Sequence, residues 1–145
     1  MKLVTLELGG KSPLIIFNGA HLENAVAGAI MANWYSCGEV YSNGTRVFVQ
    51  QSIYDAFCQW LLKRTPKLVV GNPMDPQTHV GAMMSEDHLQ SLLQCVKLGM
   101  EEGGSIINGD DGGVEQIRIR DEECENGAFM KLTIFVNVQD EMTIC

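Results

Sequence analysis

Nowhere does the sequence hold the roughly 18 to 20 continuous apolar residues that a bilayer-crossing helix needs. Its N-terminus has neither the basic-then-apolar build of a secretory signal nor that of a transit peptide. Basic residues are scarce: 10 Lys and Arg stand against 18 Asp and Glu, a formal net charge of −8. Nucleic-acid binders displace counterions with clustered Lys and Arg, so a phosphate-backbone partner is excluded on charge. Cys37, Cys58, Cys95, Cys124 and Cys145 never form a C-x-x-C pair, and His21, His79 and His88 never stand at i and i+4. Neither a zinc clasp nor a redox disulfide is written into these spacings. The expectation is a soluble, cytoplasmic protein with reduced thiols, no membrane contact and no metal.

What is present is enough for one domain: 145 residues, 46% of them apolar. Val4–Leu8, ended by Gly9-Gly10, and Leu14–Phe17 read as short strands. From Leu22, the residues Leu22, Ala25, Val26, Ala29 and Ile30 recur at helical spacing, predicting a helix that ends near Gly38 with His21 as a weak cap. Arg46–Gln50 reads as a strand. Ser52, with Asp55 three residues on, resembles a capping box opening a second helix, whose stripe is Ile53, Ala56, Phe57, Trp60 and Leu61. Gly71-Asn72-Pro73 breaks the chain. A third helix is expected from about Ser85 to Met100, with Leu89, Leu92, Leu93 and Val96 inward and Gly103-Gly104 ending it. Beyond it, Gln116–Arg120 and Phe129–Val138 look strand-like, and the glycines between Gly109 and Gly113 read as turns. Short strands alternating with helices imply crossover connections, hence an α/β fold: a mainly parallel sheet with helices on both faces.

Glu7-Leu8-Gly9-Gly10-Lys11-Ser12-Pro13 resembles the glutamate signature of the NAD(P)-dependent aldehyde dehydrogenases. Further segments fit in order: Leu22-Glu23-Asn24-Ala25-Val26, Asn43-Gly44-Thr45-Arg46-Val47-Phe48-Val49-Gln50, Gly71-Asn72-Pro73 and Met142-Thr143-Ile144. The likeness covers nearly the whole chain, thins between about Ser105 and Asn126, and is nearest the betaine and trimethylaminobutyraldehyde branch. It implies a small aldehyde as substrate, NAD or NADP as cofactor, Glu7 as the general base that activates water, and Gly9 lying against the nicotinamide. It also implies that residues 1–145 are a partial catalytic domain. The cofactor-binding half would precede it, and the segment holding the nicotinamide ribose would follow Cys145.

The family's chemistry needs a thiolate to add to the aldehyde and a carboxylate to activate the water that hydrolyses the thioester. In the family the thiol ends a stretch of glycine, glutamine and any residue; here that stretch is Gly38-Glu39-Val40-Tyr41. Tyr41 stands thirty-four residues after Glu7, the separation the resemblance requires, so the register holds and the nucleophile position carries a phenol. A phenol that titrates near about 10 is ionised only about one part in a thousand at neutral pH. Tyr41 is therefore expected to be non-functional as a nucleophile. Cys37, about one helical turn or 5 to 6 Å away along a helix axis, is too displaced to replace it and reads as a packing residue. Cys58 reads as core and Lys11 as structural. Trp34 and, more weakly, Trp60 are candidates for an aromatic cage around a quaternary ammonium group. Two functions remain open: an aldehyde-oxidising segment, inactive and without bound cofactor when alone, or a non-catalytic protein that docks onto full-length homologous subunits.

Overall fold

The computed structural model describes residues 2–107 and 124–145. The readings at Gly109–Gly113 and Gln116–Arg120 lie outside these residues. Strand β1 (Pro13–Ile16) leads into helix α1 (Leu22–Trp34), which returns to strand β2 (Arg46–Val49). β2 pairs with β1 in parallel, Pro13 opposite Arg46 through Ile16 opposite Val49. This is the crossover unit that the alternation predicts. Helix α2 (Tyr54–Arg64), helix α3 (Glu86–Glu101) and an antiparallel pair, β3 (Ser105–Ile106) with β4 (Phe135–Val136), follow.

The α/β class holds, with parallel strands and helices, and the covering of the parallel pair is one-sided. Leu14 and Ile16, with their cross-strand neighbours Val47 and Val49, turn toward α1 and α2, where Val26, Ala29, Phe57 and Leu61 close the core. The alternate residues point the other way: Ile15 is 58% exposed, Phe17 66% and Phe48 46%. Period-2 alternation puts these side chains on the opposite face. Among the described residues no helix covers that face.

Helix α1 begins as its sequence suggests: the Asn24 backbone N–H donates to His21 Nδ1 at 3.4 Å, and Glu23 stands in the positively polarised first turn. Its end differs from a simple run to Gly38. After Trp34 the chain enters a tight 3-10 turn, with Ser36 at φ 52°, Cys37 at φ 55° and Gly38 at φ 78°. Two non-glycine residues in the left-handed region carry steric cost that only Gly38 avoids.

The proposed capping box at Ser52 is not formed. Gln51–Ile53 make a 3-10 turn, and Ile53, with no side-chain acceptor, takes the N-cap of α2. Phe57 and Leu61 are buried as expected, whereas Ala56 is exposed and Trp60 is 37% exposed. Lys63 and Arg64 lie over the Trp60 ring at 5.9 and 5.6 Å, so its faces already hold cations of the chain itself. Arg64 also pairs with Glu23, joining the end of α2 to the start of α1.

Helix α3 follows its reading closely. Ser85 caps it by accepting from the His88 N–H at 3.1 Å, and Leu89 and Val96 are buried. Gly103, at φ 101°, turns the chain out of the helix. The strand reading of Phe129–Val138 shrinks to the two residues of β4, and Phe129 is instead a buried anchor in irregular chain.

The strand reading of Val4–Leu8 is also overturned. This stretch joins no ladder, and Leu3, Val4, Leu6 and Leu8 are all exposed. Strand-forming residues make a strand only where a neighbour accepts their backbone groups.

Candidate active site

The loop Glu39–Thr45 is laid across the start of β1 by contacts that leave it little freedom. Asn33, on the last turn of α1, donates its Nδ2 protons to Ala29 O at 2.9 Å and to Gly44 O at 3.2 Å, tying helix to loop. Asn43 N–H closes a turn onto Val40 O at 3.0 Å, and Thr45 N–H reaches Asn43 O at 2.9 Å. Arg46 Nε donates to Lys11 O at 3.1 Å, and Ser12 Oγ donates to Tyr41 O at 3.5 Å. Two glycines permit the fit. A β-carbon at Gly10 would sit 2.8 Å from Tyr41 O, and one at Gly44 would sit 2.8 Å from Leu14 Cβ.

These restraints deliver Tyr41 to Glu7. The Tyr41 hydroxyl donates to Glu7 Oε2 at 3.4 Å, while the ring is 58% exposed and Glu7 lies in an exposed segment. The two positions that the family resemblance links are thus spatial neighbours. Cys37 does not join it. Its left-handed backbone directs the thiol to Ala82 O, Sγ to O 3.8 Å, which fits a packing contact rather than a substitute nucleophile. The reason is the left-handed turn and not the helical displacement expected from sequence.

Glu39 does not face Tyr41 but His88 at the start of α3, with Oε1 3.9 Å from Nε2. Cys58 lies on α2 beside Tyr54. Burial pushes the Cys58 thiol up from its ordinary 9.0, and the negative charge of Asp55 adds to this while the Tyr54 hydrogen bond opposes it. A thiol held protonated is a poor nucleophile, in keeping with a structural role.

Gly9 was expected against a nicotinamide. A β-carbon there meets nothing within 4 Å, and residues 2–9 are exposed. Among the described residues, Gly9 offers a bare backbone flank beside Glu7. The exposed residues 2–9 do not by themselves fit a dinucleotide. Among the described residues, no group of three or more His, Cys, Asp or Glu gathers in a metal-binding arrangement, and no helix is long and apolar enough to cross a membrane.

The sequence reading named Glu7, Tyr41 and Gly9, and the structure brings Glu7 and Tyr41 together. The reading missed Asn33, Ser12 and Arg46 as the residues that hold the loop, and it missed the Glu39–His88 contact. Ser12 and Gly10 lie inside the Glu7 signature, so that motif was their signal. The bridges from Asn33 and His88 join segments whose meeting only the fold reveals.

The sequence profile described as "Aldehyde dehydrogenase family" matches residues 1–145. A betaine aldehyde dehydrogenase of Vibrio vulnificus (strain YJ016) is 44% identical over 142 residues, which is 98% of this chain and 28% of that protein. One from Sinorhizobium fredii is 46% identical over 144 residues, 99% of this chain and 28% of its own length. An NAD+ complex of an aldehyde dehydrogenase from Bacillus cereus superposes with a TM-score of 0.84 at 35% identity, covering 99% of this chain and 27% of that one. An NAD-dependent aldehyde dehydrogenase from Sinorhizobium meliloti gives a TM-score of 0.84 at 32% identity, covering 95% and 26%. The chain spans little more than a quarter of the length of these relatives.

Proposed function

This chain belongs to the aldehyde dehydrogenase family, and from that premise we propose that it is a catalytic-domain segment in which the water-activating carboxylate survives and the thioester-forming step is lost. The family supports NAD(P)-dependent oxidation of an aldehyde to an acid, and the betaine aldehyde dehydrogenases among the relatives point to an ammonium aldehyde as the ancestral substrate. The observation that carries the reading is the Tyr41 hydroxyl donating to Glu7 Oε2. In this arrangement the phenol's proton occupies the carboxylate oxygen that a water would otherwise use, and a carboxylate is by nature a much weaker base than a phenolate, so the proton stays on the phenol oxygen. Addition to the aldehyde needs an oxygen or sulfur that has given up its proton, and a phenol as a class, ordinarily titrating near about 10, does so far less readily than a thiol. The carboxylate, in turn, has no acyl intermediate on which to direct water.

The bare flank at Gly9 gives a dinucleotide no enclosing contact among the described residues. Alone, the chain binds NAD or NADP too weakly to position a hydride acceptor. Purified chain supplied with betaine aldehyde and NAD+ is expected to form no reduced cofactor, even with protein in molar excess over the turnover sought. Sustained formation of reduced cofactor would refute the proposal.

A second reading, a non-catalytic subunit that docks onto full-length homologues, is favoured by the uncovered apolar face at Ile15, Phe17 and Phe48. Co-expression with a complete family member tests it. Stable co-purification, lost when Phe48 becomes Lys, is the expected result; separate elution of the two chains would remove this reading.

A further inference from the structure

Four asparagines are followed directly by glycine: Asn18, Asn43, Asn108 and Asn126. In such a pair the glycine's backbone nitrogen can attack the asparagine's own carboxamide, because glycine has no β-carbon to obstruct the approach. Asn108 lies outside the described residues. The fold treats the other three pairs differently.

Two pairs are held. Gly127 N–H is already donated to Cys124 O at 2.9 Å, and the Phe129 ring occupies the place where a β-carbon of Gly127 would go. Asn43 Nδ2 is buried, Asn43 O accepts from the Thr45 N–H at 2.9 Å, and Gly44 O accepts from Asn33 Nδ2 at 3.2 Å, with Leu14 packed against Gly44. The third pair is open. Phe17 to Ala20 form a β-turn closed by the Ala20 N–H on Phe17 O at 2.9 Å, with Asn18 and Gly19 at its central positions. Both residues are exposed, a β-carbon at Gly19 would meet nothing within 4 Å, and among the described residues the Gly19 N–H is given to no acceptor. Gln50 Oε1 takes the Asn18 backbone N–H at 2.8 Å and leaves the Asn18 carboxamide to solvent.

We propose that Asn18 is a site of spontaneous covalent modification, converting through a cyclic imide to aspartate and isoaspartate. The Gly19 nitrogen bonds to Asn18 Cγ, the Cγ–Nδ2 bond breaks, and Nδ2 leaves as ammonia with the proton that Gly19 N gives up. Water then adds to either carbonyl of the imide and opens the ring. Water is the only co-reactant, nothing is oxidised or reduced, and the side chain gains a negative charge. Where the ring opens to isoaspartate, the main chain runs through the former side chain. That lengthens the link between β1 and α1 by a carbon, next to the Gln50 contact and the His21 cap. Neither end of the chain takes part, and the aldehyde chemistry is not involved.

Ageing of the folded full chain at mildly alkaline pH, followed by peptide mapping in a mass spectrometer, tests it. Fragment ions that locate the exchange of NH2 for OH separate Asn18 from Asn43 and Asn126. A hydrogen bond or packed contact that must first be broken slows a step by about tenfold, so Asn18 is expected to convert roughly tenfold faster than either. In concentrated urea, where the pairs share the same Asn-Gly chemistry without the fold, the three rates should draw together. Gly19→Ala has room for its β-carbon and a backbone outside the left-handed region, so it should keep the parent's circular dichroism while slowing conversion at Asn18 severalfold. No conversion at Asn18, equal rates at the three asparagines of the folded chain, or a preference for Asn18 that urea leaves unchanged overturns the proposal.

Discussion

Tyr41 and Glu7, thirty-four residues apart in sequence, meet through a hydroxyl donated to Oε2 at 3.4 Å. Their meeting is enforced from below: Gly10 lets its backbone pass beneath Tyr41 O, Ser12 Oγ reaches that oxygen, and Asn33 fixes the loop from α1.

Gly10→Ala is expected to destabilise the fold and to displace Tyr41. The added carbon would lie 2.8 Å from a backbone oxygen, which no flexible side chain can relieve. Overpacking of this kind costs about 1 to 3 kcal/mol. Urea unfolding of the variant against the parent measures it, and an unchanged midpoint would show that the Gly10–Tyr41 approach is not tight.

Ser85→Ala removes the acceptor for the His88 N–H and should cost about 1 kcal/mol. A matched change at Ser52, which caps nothing, should cost less than about 0.5 kcal/mol. Equal losses at the two serines in thermal unfolding would contradict the assignment of the α2 cap to Ile53.

Alkaline pH should loosen the fold through Cys58 and Tyr54. Burial raises both above their ordinary values of 9.0 and 10.0. The folded state therefore holds these protons at a pH where the unfolded chain releases them, so stability is full below about 9 and falls as pH rises through the raised values. Cys58→Ser should remove the first part of that fall and leave the part due to Tyr54. Thermal midpoints measured from neutral to strongly alkaline pH show the effect, and a parent curve flat across that span would count against it.

Phe57→Ala should cost about 3 to 5 kcal/mol, because the residue is buried in the core that α1, α2 and the inner face of the parallel pair form. Phe48→Ala on the uncovered face should cost far less in the isolated chain. Denaturant titration of both variants checks the one-sided covering of the sheet, and comparable losses would mean that the outer face is packed as well.

Much of the fold could be read directly from residues because it rests on local periodicity. The buried Val26 and Ala29 of α1, and Leu89 and Val96 of α3, recur at the helical repeat, and Ser85 marks its helix by chemistry alone. Val4–Leu8 misled because strand propensity describes one partner of a ladder, and among the described residues none supplies the other. Trp60 misled because an apolar side chain at helical spacing can lie under the helix's own Lys63 and Arg64 instead of in a core. At the site, the family resemblance linked Glu7 with Tyr41, yet the left-handed Ser36 and Cys37 could not be foreseen, since neither is a residue that favours that region.

Hydrolysis of an activated ester, such as p-nitrophenyl acetate, tests the central claim without any cofactor. The parent chain is expected to show no burst of nitrophenolate and no rate above background. Tyr41→Cys should gain a burst from acylation of the new thiol, followed by a slower turnover that Glu7→Gln suppresses. A burst in the parent that Tyr41→Phe abolishes would show that the phenol is itself a working nucleophile, and would contradict the account.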